Sequence, residues 1–239
     1  MKKKIIPILC FVLFACSAAL KAETNAEESM QSVIERSLSL ARHQALLMAK
    51  NLEGQKDALP RTFENGELKT CRFDGWISGF FPGLLWMLYE DNRNNQQLGS
   101  AARNQDETAR LLNYARMFTD RVEPAKKMTS THDLGFMLYC SFGQGYRITG
   151  DRHYLDVIEE GSNSLLTRWN PKLGVIKSWN SNKRWQYPVI IDNMMNLEML
   201  CFMTKETGRR NYEDIAQIHA NTTIKNHFRD DFSTFHVVS

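Results

Sequence analysis

Two aspartates carry the chemistry this sequence offers most clearly. Asp133 stands in Thr131-His132-Asp133-Leu134-Gly135-Phe136-Met137-Leu138-Tyr139, and Asp192 in Ile191-Asp192-Asn193-Met194-Met195-Asn196-Leu197. Each opens an apolar run with helical spacing. The runs also end alike, in Thr149-Gly150-Asp151-Arg152-His153-Tyr154 and Thr207-Gly208-Arg209-Arg210-Asn211-Tyr212. The aspartates are 59 residues apart and the two glycines 58, so both acids occupy equivalent places in successive helical units. In a ring of such units, equivalent helix starts meet at one end of the central cavity. Carboxylates that share a cavity drive their pKa values apart, which divides acid from base work. Either aspartate alone could equally be a helix N-cap that accepts backbone N–H bonds.

Other polar and aromatic residues gather at the same rim. His132 precedes Asp133, and His236 lies in Ser233-Thr234-Phe235-His236. Each, taken alone, reads first as a hydrogen-bonded histidine. Trp76, Trp179 and Trp185 fall in or beside loops at the starts of inner helices, where an aromatic face can stack on a sugar ring or simply pack. Asn193 and Asn196 can line that rim or satisfy loop backbone. No Gly-rich phosphate loop, His-x-x-x-His or Cys-x-x-Cys metal pattern, or Gly-x-Ser-x-Gly elbow occurs.

The elements that must position these residues are helices. Amphipathic stretches are expected at 27–50, with Val33, Leu38, Ala41, Ala45 and Met48 on one face, and at 107–122, 154–169 and 212–226. Stretches apolar on nearly every side, at 84–89, 133–148 and 192–204, read as inner helices. Glycine after the last apolar position is a helix C-terminal signal. Residues 55–74 and 170–188 read as connections, 91–105 as a polar surface loop, and 235–238 as a short strand. About seven helices alternate inner and outer, the rhythm of an α/α toroid or solenoid.

The amino terminus reads differently. Lys2, Lys3 and Lys4 precede an apolar run that ends at Leu20, so residues 1–22 read as an export signal and 23–239 as one domain. Leu13-Phe14-Ala15-Cys16 resembles a bacterial lipobox, which leaves two readings: a lipid anchor at Cys16, or cleavage near Ala22. Either puts the protein in the periplasm or on a membrane. Without residues 1–22, 26 basic side chains face 27 acidic ones, a net of −1, which gives no case for nucleic acid. Cys71, Cys140 and Cys201 remain, an odd set expected to be buried thiols.

With these residues in view, the chain from about residue 36 onward resembles a known family. Trp76-Ile-Ser-Gly79-Phe80-Phe81-Pro82-Gly83-Leu-Leu-Trp86, Thr131-His132-Asp133-Leu134-Gly135-Phe136, Asp192-Asn193-Met194-Met195-Asn196-Leu197 and Ser233-Thr234-Phe235-His236-Val237 closely resemble the unsaturated glucuronyl hydrolases, glycoside hydrolase family 88. The unsaturated rhamnogalacturonyl hydrolases, family 105, share the ring and acid pair; His-Asp-Leu-Gly-Phe and Ser-Thr-Phe-His-Val favour family 88. The resemblance implies an all-α (α/α)6 barrel and, as substrates, unsaturated uronyl disaccharides and oligosaccharides left by polysaccharide lyases. It implies Asp192 as general acid/base and Asp133 as the second essential carboxylate. His132 and His236 match contacts to the unsaturated sugar, Trp76 and Trp179 match aromatic contacts, and Asn193 belongs to the same substrate rim. No metal and no organic cofactor is implied. About seven of the barrel's twelve helices are expected, so the barrel is expected to be incomplete and the 239-residue chain weakly active or inactive. Two alternatives are a non-catalytic glycan-binding lipoprotein and a helical scaffold for partner proteins, the latter disfavoured by the inward Asp/His/Trp cluster.

Overall fold

The computed structural model describes residues 29–97 and 105–239. The export segment 1–22 with Cys16, and part of the polar stretch 91–105, lie outside the described residues. The chain divides into two compact units, Met1–Ala41 and Arg42–Ser239. In the first, the opening turns of α1 (Met30–Leu52) start from Ser29, whose Oγ accepts the Ser32 N–H at 3.2 Å. Within the second, α1 buries Arg42, Ala45, Leu46, Ala49 and Leu52. Of the apolar face expected at 27–50, only Ala45 is among these. Val33, Leu38, Ala41 and Met48 are half-buried, and Arg42 is buried with its guanidinium held by Asp91 at 2.9 Å and Glu107 at 3.5 Å.

The second unit repeats one motif three times. Helix α2 (Phe80–Gln97) is backed by α3 (Gln105–Asp120). A π-helical segment, Gly135–Gly143, runs on into α4 (Gln144–Thr149) and is backed by α5 (Arg152–Leu166). Helix α6 (Asn193–Thr207) is backed by α7 (Asn211–His227). The inner helices α2, the π segment and α6 pack side by side in that order. With α1, and counting the π segment and α4 as one, the described residues supply seven helices of an (α/α)6 barrel's twelve.

The sequence repeat is a structural repeat. Gly150 and Gly208 both turn left-handed, with φ of 70° and 73°, and their N–H groups close on Tyr146 O and Thr204 O, each at 2.8 Å. Thr149 Oγ1 donates back to Gly145 O at 2.7 Å, and Thr207 Oγ1 to Met203 O at 2.6 Å. Tyr154 and Tyr212 then bury their rings at the start of each outer helix. Close approach of the inner helices depends on glycine. A Cβ on Gly79 or Gly83 would strike carbonyls of Phe136, Met137 or Cys140, and one on Gly135 would lie 2.6 Å from Asn196 Oδ1.

Several expectations need correction. Helix α2 continues through Gln97, where a loop is expected from 91. The polar half is held by the Arg42–Asp91 ion pair and by Asn92 Nδ2, which donates to Thr108 Oγ1 at 2.8 Å. The connection at 55–74 contains an antiparallel hairpin, β1 (Leu59–Glu64) with β2 (Glu67–Cys71), turned at Asn65 and Gly66 with φ of 53° and 80°. The connection at 170–188 is tied by β3 (Trp169–Asn170) pairing with β4 (Val175–Ile176), and β5 (Val189–Ile190) pairs with β6 (Val237–Val238). The regular helix expected at 133–148 is π-helical over its first part. The three cysteines are free, but Cys71 and Cys140 are half-buried and Cys201 is exposed. No described helix is long and apolar enough to cross a membrane.

Candidate functional site

Asp133 and Asp192 meet at one imidazole. His132 Nε2 lies 3.2 Å from Asp133 Oδ1 and 3.9 Å from Asp192 Oδ1. Neither aspartate is spent on a helix cap. Asp192 holds the N-cap position of α6, yet its side chain accepts no backbone N–H there, and the π segment is preceded by Leu134 with no side-chain cap. The capping alternative therefore does not describe these side chains.

The two carboxylates have different surroundings. Asp133 Oδ2 accepts the Thr131 hydroxyl at 2.5 Å, while Oδ1 faces His132. One oxygen is thus hydrogen-bonded and the other lies in ion-pair range of the ring, and its side chain is 19% exposed. Asp192 is 41% exposed, and its Oδ1 is buried with no hydrogen-bond partner. A carboxylate with a free oxygen beside a solvent-reachable one can exchange a proton; one held by a hydroxyl and a neighbouring ring is an anchor.

His132 is 3% exposed, and burial lowers its pKa against the opposing pull of Asp133, Asp192 and the Asn193 side chain. A neutral ring fits its contacts. Ser178 Oγ accepts the Ile190 N–H at 2.9 Å, which leaves its own proton for His132 Nδ1, 3.4 Å away. The ring proton then sits on Nε2, toward the carboxylates. The His132 N–H donates to Ser178 O at 3.0 Å, so the same residue holds backbone and ring.

The remaining sequence candidates are distributed around this centre. Asn193 is fully buried; Nδ2 donates to Ile176 O at 2.8 Å, and Oδ1 faces the imidazole without completing a hydrogen bond. Trp179 bridges to Thr131 along the backbone and so joins the Asp133 side of the site. His236 is exposed, and its carbonyl accepts the Ile191 N–H at 2.9 Å, one residue before Asp192. Trp76 is 56% exposed and packs edge-on against Phe80 and Phe136 at 5.9 and 6.1 Å. It belongs to a groove with Pro60, Arg61, Ile77 and Leu84, whose lining does not include the acids. Trp185 lies under the Arg184 guanidinium at 4.9 Å, away from the centre, and Asn196 holds the Phe136 N–H at 3.1 Å.

Three further residues contribute: Thr131 lies inside the Asp133 motif, whereas Ser178 and Arg168 carry no motif signal. Thr131 and Ser178 supply the hydroxyls just described. Arg168 is buried at the end of the second outer helix, donating to Lys177 O at 2.6 Å and to Thr129 O. Burial lowers its pKa, and its charge faces Asp133. His132, Asp133 and Asp192 each present one ligand atom, all within 4.8 Å of one another, so a cation could also be bracketed there.

No family model matches the chain. The unsaturated glucuronyl hydrolase of Formosa agariphila is 43% identical over 166 residues, which is 69% of this chain and 38% of that protein. The unsaturated chondroitin disaccharide hydrolase of Streptococcus agalactiae is 30% identical over 184 residues, 77% of this chain and 43% of that one. A solved unsaturated glucuronyl hydrolase specific for heparin superposes with a TM-score of 0.71 at 38% identity, covering 84% of this chain and 51% of its own. The chain therefore spans roughly two fifths of these curated relatives and half of that structure.

Proposed function

Because this chain belongs to the unsaturated glucuronyl hydrolase family, we propose that it hydrolyses, with the weak activity expected of an incomplete barrel, unsaturated uronyl disaccharides and oligosaccharides released by polysaccharide lyases. Asp192 protonates C4 of the 4,5 double bond, and water adds at C5 while its proton returns to the Asp192 carboxylate. The C5 hemiketal opens to a ketone, and the glycosidic bond breaks as the former acetal collapses. Asp133 holds His132 and the substrate in register. No glycosyl-enzyme forms, so the carboxylate spacing of ordinary glycosidases does not apply. His236, Trp76, Trp179 and Asn193 contribute substrate contacts in this reading.

The observation that carries the proposal is the shared imidazole: one anchored and one free carboxylate within 3.2 and 3.9 Å of the same Nε2. The test is loss of alkene absorbance from lyase-derived disaccharides incubated with the protein. Constant absorbance while the disaccharide binds would instead favour the non-catalytic glycan-binding reading. The relatives act on glucuronyl and chondroitin saccharides by name, so rhamnogalacturonan products are the control expected to turn over poorly.

Two further outcomes follow from the site. The hydration chemistry needs no metal, so dialysis against EDTA is expected to leave the rate unchanged; a rate restored only by a divalent cation would assign the His132–Asp133–Asp192 trio to that ion. Thr131→Val keeps the shape and removes the hydroxyl on Asp133. A hydrogen bond to a charged group is worth about 1.5–3 kcal/mol, so kcat is expected to fall roughly tenfold or more with KM little changed. An unaltered kcat would leave Asp133 anchored by His132 alone. As part of the same proposal the chain acts after export, in the periplasm or, lipidated at Cys16, on a membrane. Mass spectrometry of the N-terminal peptide distinguishes these.

A further inference from the structure

His219, on the outer helix α7, is fully buried and touches neither carboxylate. Its Nδ1 accepts the Ile176 N–H at 3.0 Å. That contact fixes the tautomer: Nδ1 is a lone pair, so the neutral ring carries its proton on Nε2. The carbonyl of the same residue, Ile176, accepts Asn193 Nδ2 at 2.8 Å, and Asn193 directly follows Asp192. One residue, through the peptide groups on either side of its Cα, thus ties α7 to the first turn of α6.

Ile176 ends β4, and in the run from Ile176 to Trp179 three residues, Ile176, Ser178 and Trp179, hold parts of the site. Ser178 holds His132 through its carbonyl and its hydroxyl. Trp179 bridges to Thr131, which donates to Asp133. The run is also held by His219 on Ile176 N, by Arg168, whose guanidinium donates to Lys177 O at 2.6 Å and whose carbonyl accepts the Lys177 N–H at 3.0 Å, and by the Pro188 carbonyl, which accepts the Ser178 N–H at 2.8 Å. Of these, the guanidinium and the imidazole are side chains, the first from the end of α5 and the second from α7.

We propose that His219 is a positioning residue for the catalytic cluster: its Nδ1 lone pair sets the backbone of Ile176, and through that residue's carbonyl the Asn193 amide and the start of the helix that carries Asp192. The proposal rests on the activity proposed above for its rate readout. Burial and the neighbouring His132 and His227 hold the His219 pKa at about 4, so the ring is neutral and able to accept across the neutral range.

The experiment compares His219→Asn, whose Oδ1 can stand where Nδ1 stood, with His219→Leu, which has no acceptor. His219→Leu is expected to lose roughly 10–100-fold in kcat with KM nearly constant, the effect of misplacing a reacting group from a distance, while His219→Asn recovers most of the rate. Equal losses in the two variants after correction for folded fraction overturn the proposal. Nitrogen-15 spectra of the wild-type and variant proteins supply a readout that needs no turnover. The His132 ring and Asn193 amide signals are expected to move in His219→Leu and to return toward wild type in His219→Asn; signals unmoved in His219→Leu also overturn it. Should the wild-type protein consume no alkene, the activity reading fails alone, and the spectra still decide the role of His219.

Discussion

Asp192→Asn is expected to reduce alkene loss by roughly 10²–10⁴-fold, the range that a positioned general acid/base contributes, while the folded protein still binds the unsaturated disaccharide. The amide keeps the shape of the side chain and its place at the head of α6, where Asp192 makes no side-chain cap whose loss would confuse the result. What disappears is the ability of the free Oδ1 to carry a proton past His132 Nε2, 3.9 Å away. Asp133→Asn is a different experiment. That residue holds the Thr131 hydroxyl and the His132 ring, so its substitution disturbs geometry along with charge. A variant Asp192→Asn that retains wild-type kcat would remove the proposed mechanism, because the other carboxylate beside this imidazole, Asp133, is the less exposed of the two and is occupied by the Thr131 hydroxyl.

The repeat was legible because it rests on local chemistry. Thr-Gly stops at 149–150 and 207–208 need left-handed glycines, and the structure has them in matching geometry down to the threonine hydroxyls. Equivalent helix starts then bring Asp133 and Asp192 together without long-range information. The hairpin carried a signal too, in Asn65-Gly66, a dipeptide that suits the left-handed turn between strands. The strands beside it are short and mostly exposed, so the alternation that would announce them is missing.

Other features depend on partners far along the chain. Whether residues 91–97 continue a helix turns on Arg42, which comes 49 residues before Asp91. The π-helical start of the second inner helix answers to Gly79, Gly83 and Asn196 on its two neighbours, and no single segment encodes it. The supporting residues of the site are harder still. Ser178, Arg168 and His219 act largely through backbone atoms of an extended run, and side chains that hold backbone leave no motif. The catalytic candidates could be read from types and spacing, whereas what orients them required coordinates.

The buried histidines make acid stability the second large effect. His219 has a folded-state pKa of about 4 against an ordinary 6.5, chiefly because burial disfavours its charge, with His132 and His227 adding repulsion. The unfolded chain therefore binds the proton first. The stability this ring contributes is fully present above about pH 6.5 and is lost as pH falls toward 4, and the shift corresponds to about 3 kcal/mol. His132 shifts the same way and loses stability over the same side of neutrality. Denaturant unfolding at pH 7.5 and pH 4.5 should therefore reveal a steep loss in the wild-type protein. In His219→Asn, which cannot titrate there, the loss should be smaller by most of that 3 kcal/mol. Parallel losses in the two proteins would mean that His219 is solvated, or is charged within the fold. A charged ring would have no lone pair on Nδ1 for Ile176 N–H, and the route from α7 to the head of α6 would be broken at its first link.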